Sequence, residues 1–222
     1  MTATKEQRYI PAARFSALTP LFDPLVRFTT RERTFKRRLL ERAAARPGED
    51  VLDLGAGTGT LALMLEAAVP GVAVTGLDAD AEILDLARGK AAASRSTVEF
   101  VEAFSNAMPF DDESFDLIVS TLFFHHLDGE VKRATLGECV RVLRPGGRLV
   151  VGDWGRPSDP LMAALFVQVR ALDGFGVTAD NAHGRLPLLF EQTGLEAMRT
   201  TDQFRTPLGT IALYTGRRSG DG

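Results

Sequence analysis

The most constraining feature of the sequence is a regular alternation of short apolar segments and helical segments between residues 51 and 153. The apolar segments lie at residues 51–54, 72–77, 97–101, 115–121 and 148–153. The helical patterns lie at residues 60–68, 81–93 and about 130–143. Apolar segments rich in Val, Ile and Leu are typical of parallel strands that are covered on both faces. The alternation therefore predicts an α/β fold with a doubly wound, mostly parallel sheet.

The flanking regions predict one domain of 222 residues in four parts. These parts are an N-terminal helical lid at 1–46, a core at 47–153, a helical insertion at 154–193 and closing strands at 194–216. Apolar residues at helical spacing predict the helical lid, and Pro47-Gly48 ends it. Within the last two parts we expect helices at 160–173 and 181–193, then strands at 195–201 and 210–215. The two strands can pair antiparallel at the edge of the sheet.

Composition limits the partners and the compartment. The chain has 26 basic and 29 acidic residues, which is not the basic excess expected of a nucleic-acid-binding domain. The single cysteine, Cys139, excludes an internal disulfide and is compatible with a reducing compartment. No apolar run approaches the ~20 residues that cross a bilayer, and the first 15 residues lack the apolar core of a signal peptide. We expect a cytoplasmic protein with no nucleic-acid partner and no integral membrane segment.

The first strand-to-helix turn, residues 53–59 (DLGAGTG), is where a cofactor is expected. In such sheets, ligands bind beyond the carboxyl ends of the strands. Glycines there let the backbone turn tightly and approach a ligand. Asp53 can face a cationic group of that ligand, and Asp78 ends the second strand, where it can accept from both ribose hydroxyls. A dinucleotide-binding fingerprint would need glycine at position 60, which is Thr60.

Four segments carry a resemblance to a known family. They are VLDLGAGTG (51–59), GLDAD (76–80), MPFDDESFDLIVST (108–121) and LRPGGRLVVGD (143–153). In this order they resemble the motifs of class I S-adenosylmethionine (SAM)-dependent methyltransferases, in the type 11-like branch that includes the ubiquinone/menaquinone-biosynthesis enzymes. The strong resemblance covers about residues 50–153. It implies SAM as cofactor, a small-molecule methyl acceptor and a seven-stranded sheet in which only the last strand is antiparallel.

The resemblance also implies a set of cofactor contacts. The residues expected to bind SAM are Asp53, Gly55, Ala56, Gly57, Thr58, Gly59, Asp78, Ala79, Phe104, Ser105, Asn106 and Thr121. The glycine turn would line the methionine and ribose end, Asp78 would hold the ribose hydroxyls, and Ala79 would lie near the adenine. The chain departs from the family after the third strand, where an acidic and a small residue are usual, and has Phe104 and Ser105. Either Phe104 stacks on the adenine, or Ser105 and Asn106 supply the polar contact.

Three polar residues at the ligand-facing edge of the sheet are candidates for catalysis. His125 and His126 follow the fourth strand, and Asp153 ends the fifth. Methyl transfer is an in-line displacement to which a protein mainly contributes alignment, and a general base helps only if the acceptor must lose a proton. Each candidate also has a structural interpretation. A histidine can pack or cap the next helix, and an aspartate can bond local backbone.

Candidate acceptor contacts lie outside the motifs. Tyr9 belongs to a segment that can close over the site, Trp154 follows Asp153, and His183 lies in the insertion. Packing is the alternative for Tyr9 and Trp154, and a solvent-facing position is the alternative for His183. Residues 27–46 predict a basic amphipathic helix, which is either solvated or in contact with a membrane surface or an anionic substrate. No Cys, His and carboxylate cluster has ligand spacing along the sequence, so no metal site is predicted.

The predicted function is methyl transfer from SAM to a small molecule that is apolar or aromatic. Large apolar residues between 154 and 193 can line such a pocket or cover the sheet. One alternative is a nicotinamide-dependent oxidoreductase on a related fold, against which the glycine spacing counts. Another is a non-catalytic SAM-binding protein, which Phe104 leaves open. The fold does not decide between O-, N- and C-methylation.

Overall fold

The computed structural model describes residues 32–220, which form a seven-stranded sheet and its flanking helices. The helices are α1 (Glu32–Ala43), α2 (Thr60–Ala68), α3 (Ala81–Ser94), α4 (Gly129–Val142), α5 (Pro160–Asp173), α6 (Ala179–Ala182) and α7 (Leu186–Gln192). The strands are β1 (Asp50–Leu54), β2 (Ala73–Asp78), β3 (Glu99–Glu102), β4 (Phe115–Thr121), β5 (Leu143–Trp154), β6 (Leu195–Thr206) and β7 (Gly209–Arg218). A short 3₁₀ turn, Phe124–His126, follows β4.

The strand order is β3-β2-β1-β4-β5-β7-β6. Strands β1 to β5 pair in parallel, and β7 is antiparallel to both β5 and β6. The predicted doubly wound α/β fold with an antiparallel last strand is therefore confirmed. The chain runs outward from β1 to β3 and then returns to β4, so the strand order reverses between β1 and β4. Ligands of open α/β sheets bind at such a switch point.

Both faces of the sheet are buried, which explains the nearly continuous apolar strands. On one face, Val51 of β1 packs in a cluster with residues of α1 and α2, such as Leu39 and Leu65. On the other face, Leu52 packs in a cluster that includes Leu136 of α4 and Phe190 of α7. The central strands therefore have no solvent-facing side, and their carboxyl ends are where polar side chains can meet a ligand.

Two predicted helix boundaries differ from the structure. The helix expected at 181–193 is two helices, α6 and α7, because Gly184 has a φ of +69° and Pro187 lies in the first turn of α7. The segment Pro145-Gly146-Gly147 lies within β5 as a bulge. Its strand register against β4 jumps there, and Gly146 has a φ of +74°. The helix that was expected to reach residue 46 ends at Ala43.

Some of the basic side chains of α1 lie against the rest of the protein. Arg38 and Arg42 both bind Asp202 of β6, with Nε–Oδ distances of 2.9 and 2.7 Å. Lys36 is buried, whereas Arg37 is exposed. The expected basic face is thus only partly solvated, and residues 27–31 lie outside the described residues. Across residues 32–220, none of the helices has the length and apolar character that crossing a membrane requires.

Candidate functional site

The glycine turn after β1 is tied to the end of β2 by hydrogen bonds. The amides of Gly55 and Ala56 both donate to the carbonyl of Leu77, each at 2.9 Å. Asp78 accepts from the Gly57 amide at 2.9 Å and from the Asp80 amide at 3.1 Å. Burial raises the pKa of Asp78 above its ordinary value, against the opposing effect of these two amides. Asp78 therefore fixes the turn and remains half-buried at the sheet edge.

The three glycines of the turn have different surroundings, although all have positive φ. A Cβ added to Gly55 would lie 2.4 Å from the ring of Phe123, and one added to Gly59 would lie 2.7 Å from the ring of Phe100. A Cβ on Gly57 would meet no atom of the described chain within 4 Å. Gly55 and Gly59 thus make room for protein rings, and Gly57 faces the space that a ligand could use.

Asp53 is a buried carboxylate on β1 that is only half satisfied by the protein. Its Oδ2 accepts from the amide of Ala62 in α2 at 3.0 Å. Its Oδ1 is buried and has no hydrogen-bond donor within the described part of the chain. Burial raises the pKa of Asp53 to about 7, despite the opposing charge of Lys36 and the Ala62 amide. A buried polar atom without a partner is unusual and calls for an explanation, such as a ligand.

The remaining predicted cofactor contacts lie near the same edge of the sheet. Phe104 is 44% exposed at this edge. Ser105 is buried, and its Oγ lies 2.8 Å from Oγ1 of Thr135 in α4. The Ser105 hydroxyl therefore has a partner inside the protein, and a contact between Ser105 and the adenine stays a prediction. The other predicted contacts at this edge are half-buried or buried, namely Ala56, Thr58, Ala79, Asn106 and Thr121.

On the acceptor side, the structure brings two predicted catalytic residues into direct contact. Asp153, fully buried on β5, lies 2.7 Å from Nδ1 of His125. It also accepts from the amides of His125 and Trp154, at 3.2 and 2.6 Å, and from Nδ2 of Asn181 at 3.4 Å. Burial by itself would raise the pKa of Asp153. The charge and hydrogen bond of His125, with the Trp154 amide, outweigh burial and hold that pKa below its ordinary value.

A second carboxylate, that of Asp173, completes this side of the site. Oδ2 of Asp173, the last residue of α5, lies 3.6 Å from Nε2 of His125. Oδ1 of Asp173 lies 3.9 Å from Nδ1 of His126. The two imidazole rings are 3.9 Å apart between centroids. Burial, together with His125, lowers the pKa of His126 to about 3, and burial raises that of Asp173.

Sequence reasoning missed Asp173, Asn181 and Phe123. Asp173 and Asn181 belong to the insertion, which has no motif, and they are far along the chain from the histidines that they approach. Phe123 could have been suspected, because it follows β4 directly and precedes the two histidines. Its contact with Gly55 links the cofactor turn to the histidine pair.

The two predicted acceptor contacts in the described residues, Trp154 and His183, have different surroundings. Trp154 is only 4% exposed and packs against Phe166, with 5.5 Å between ring centroids. Its surroundings therefore favour the packing interpretation. His183 is exposed at the end of α6, which favours a solvent-facing position. Tyr9 lies outside the described residues.

Comparison with known proteins agrees with this geometry. Residues 51–147 match the model of a family described as "Methyltransferase domain". A demethylmenaquinone methyltransferase of Thermus thermophilus is 39% identical over 145 residues, which cover 64% of this chain and 65% of that protein. The ubiquinone/menaquinone biosynthesis C-methyltransferase UbiE of Hahella chejuensis is 34% identical over 205 residues, covering 83% of this chain and 80% of that one.

Solved structures show the same fold. A SAM-dependent methyltransferase of Methanosarcina mazei superposes with a TM-score of 0.64 at 22% identity. The match covers 80% of this chain and 95% of the other.

The chain thus belongs to the class I SAM-dependent methyltransferases, in the family of the ubiquinone/menaquinone-biosynthesis methyltransferases. The predicted family is confirmed, and SAM is the cofactor of that class. Neither a nicotinamide-dependent oxidoreductase nor a non-catalytic SAM-binding protein is favoured. The chain spans 65% of the length of the Thermus thermophilus relative.

Proposed function

We propose that this chain transfers the methyl group of SAM to a ring carbon of a quinone-type small molecule in its reduced form. The observation that carries the proposal is the buried Oδ1 of Asp53, which has no hydrogen-bond donor within the described residues and lies on the strand that leads into the glycine turn. The names of the two relatives support the choice of acceptor and of carbon as the methylated atom. The sequence match to the Hahella chejuensis protein covers 83% of this chain, and it therefore supports applying the proposal to residues outside the cofactor motifs as well.

The residues on the cofactor side fit SAM. SAM carries cationic groups and a ribose diol, and when bound it supplies an electrophilic methyl group. Oδ1 of Asp53 is suited to one of the cationic groups. Each oxygen of Asp78 already accepts one amide, and a carboxylate oxygen retains capacity for a further hydrogen bond, here from a ribose hydroxyl. The exposed ring of Phe104 can stack on the adenine.

The polar residues after β4 and β5 suit an acceptor that must lose a proton. A hydroxyl on a reduced quinone makes its neighbouring ring carbon a better nucleophile once the hydroxyl is ionised. The hydroxyl first gives its proton to solvent, and the new carbon–carbon bond then forms as the carbon–sulfur bond to the methyl breaks. The ring carbon loses its proton to solvent and the oxygen regains one, so that one proton is released per methyl transferred. We propose that two histidines bind the acceptor hydroxyl and stabilise its ionised form. They are His125, which Asp153 holds in place, and His126. Asp153 acts through His125.

The location and the partners form part of the same proposal. We place the reaction in the cytoplasm, where a reducing environment keeps Cys139 as the buried free thiol of the structure. A small molecule is the proposed acceptor, and no nucleic acid takes part.

The test is transfer of a labelled methyl group from SAM to a demethylated naphthoquinol or benzoquinol with a short side chain. We expect label in the organic product, attached to ring carbon, and at least a ~10²-fold loss of kcat in Asp153→Asn. Asp85→Asn is the matched control, because Asp85 is an exposed carboxylate paired only with Arg88 of its own helix in the described part of the chain. Binding of S-adenosylhomocysteine without any transfer, or label on oxygen, would contradict the proposal.

A further inference from the structure

Three side chains on the acceptor side form a compact cluster of metal-ligating atoms. The cluster, here called the His–Asp cluster, consists of His125, His126 and Asp173. One ligand atom from each residue can be chosen so that all three lie within 4.8 Å of one another. His125 is buried, while His126 and Asp173 are partly exposed. The cluster therefore has both a fixed inner member and access from solvent.

The distances within the cluster are too long for direct hydrogen bonds and close to those of ligands that share an ion. The Asp173 oxygens lie 3.6 Å from Nε2 of His125 and 3.9 Å from Nδ1 of His126. Hydrogen bonds between nitrogen and oxygen are about 2.7–3.2 Å long. Ligands bound at ~2.0–2.2 Å around a tetrahedral Zn²⁺ are roughly 3.3–3.5 Å apart. The two distances from Asp173 are thus within about 0.6 Å of that spacing.

The inner histidine is already oriented as a metal ligand. Asp153 binds Nδ1 of His125 at 2.7 Å, which leaves Nε2 directed toward Asp173. A carboxylate behind a ligating histidine is the usual arrangement in protein metal sites, because it fixes the ring and raises its basicity. The Asp153 carboxylate is in turn held by the Trp154 amide and the side-chain amide of Asn181. The support behind the cluster is thus rigid and buried.

We propose that His125, His126 and Asp173 bind one divalent first-row transition-metal ion, such as Zn²⁺. Two imidazoles and one carboxylate suit such ions, and three protein ligands leave a coordination position open. The ion joins the end of α5 to the turn that follows β4. This site stands on the ligand geometry alone. Only its role rests on the proposed function: with the ion bound, the ionised hydroxyl oxygen of the acceptor takes the open position on the ion, and the two histidines act on that oxygen through the ion.

The competing arrangement is a proton in place of the metal. His125 would then be an imidazolium between Asp153 and Asp173, and the cluster would have no specific affinity for a divalent ion. Metal binding measured without SAM or acceptor separates the two arrangements, and its outcome does not depend on whether methyl transfer occurs.

The experiment is a titration of the chelator-treated protein with Zn²⁺ by calorimetry, and with Co²⁺ by visible absorption. We expect one ion per chain with micromolar or tighter affinity, and a Co²⁺ band typical of nitrogen and oxygen ligands at low coordination number. Asp173→Asn and His126→Gln should each weaken binding by at least ~10-fold, and Asp153→Asn by about 10–100-fold. His126→Gln serves if Asp173→Asn folds poorly, since His126 lies nearer the surface.

Two control variants test specificity. His183→Gln changes an exposed histidine outside the cluster, and Asp85→Asn changes an exposed aspartate on α3. Both should retain the affinity of the unchanged protein within about twofold. Absence of a bound ion at submillimolar concentrations, or binding that survives both Asp173→Asn and His126→Gln, would overturn the proposal.

Discussion

Asp53 and Asp153 are both buried carboxylates at the carboxyl edge of the sheet, but the protein treats them differently. Both oxygens of Asp153 accept hydrogen bonds, and His125 keeps its pKa below the ordinary value. Asp53 has one accepted hydrogen bond and an unpartnered oxygen, and burial raises its pKa to about 7. Both carboxylates are buried, so the difference between their pKa values comes from the groups that each one contacts.

The difference separates a structural carboxylate from one that is available to a ligand. The carboxylate of Asp153 holds the His125 ring and the side-chain amide of Asn181 in place by hydrogen bonds. Ionised Asp53 lowers the free energy of unfolding of the ligand-free protein, because its carboxylate is removed from water without full compensation by hydrogen bonds. Such a cost is reasonable where a cationic ligand recovers it on binding. Four predictions can break or sharpen this contrast.

Asp153→Ala should give the largest effect on stability. The change removes the acceptor for the His125 ring, two amides and the Asn181 side chain, all in the buried interior. Breaking a buried charged pair in this way typically costs about 3–5 kcal/mol. We expect that loss in the free energy of unfolding measured with urea. A loss below ~1 kcal/mol would mean that Asp153 is not the structural carboxylate of the pair.

Asp53→Asn should change stability in the opposite direction, and only at higher pH. Between about pH 4 and pH 7, Asp53 is protonated in the folded state and ionised in the unfolded state, so folding stability falls as pH rises. The variant lacks this cost and keeps an acceptor for the Ala62 amide. Its stability relative to the unchanged protein should grow from pH 4 to pH 7, to roughly 2–4 kcal/mol. A difference that is independent of pH would refute the raised pKa.

Asp78→Ala should weaken binding of S-adenosylhomocysteine by at least about tenfold. It removes charged hydrogen bonds that are each worth roughly 1.5–3 kcal/mol. Asp80→Ala is the matched control, because Asp80 caps α3 through the amides of Glu82 and Ile83. The control should lose about 1 kcal/mol of stability with little change in affinity. Equal loss of affinity in both variants would mean that Asp78 acts only by supporting the turn.

The smallest expected effect is the difference in stability and cofactor affinity between the variants Gly57→Ala and Gly55→Ala. Both positions have positive φ, so each alanine carries strain of about 1 kcal/mol. Gly55→Ala adds a clash with Phe123 and should be the less stable variant. Gly57→Ala adds a methyl group to open space and should mainly reduce cofactor affinity. Thermal unfolding with and without S-adenosylhomocysteine measures both effects. If Gly57→Ala were less stable than Gly55→Ala, the open space would not lie at Gly57.

The cofactor side could be predicted because its residues are close together in sequence. The glycine turn and Asp78 lie at the ends of β1 and β2, and the fold class alone makes those strand ends neighbours. The same reasoning placed His125 and Asp153 at the ends of the paired strands β4 and β5. Their direct contact is a detail of side-chain packing that the pattern does not contain.

The acceptor side could not be predicted to the same depth. Asp173 and Asn181 reach the site only because α5 and α6 fold back over the end of β5, and no motif in the insertion indicates that path. Likewise, the sequence leaves the adenine contact to Phe104 or to Ser105 and Asn106, and only the structure shows that packing against α4 turns the Ser105 hydroxyl to Thr135. Local motifs specify backbone turns well, whereas long-range contacts of single polar side chains require the folded structure.

The most direct test is calorimetric titration of S-adenosylhomocysteine into the protein at about pH 6, in two buffers with different heats of ionisation. At that pH Asp53 is mostly protonated, and a cationic group on the ligand would favour its ionised form. We predict that binding releases a proton in the unchanged protein, that Asp53→Asn lacks this release, and that Asp53→Asn binds more weakly. The same binding enthalpy in both buffers, with unchanged affinity in Asp53→Asn, would contradict the assignment of Asp53 to the cofactor.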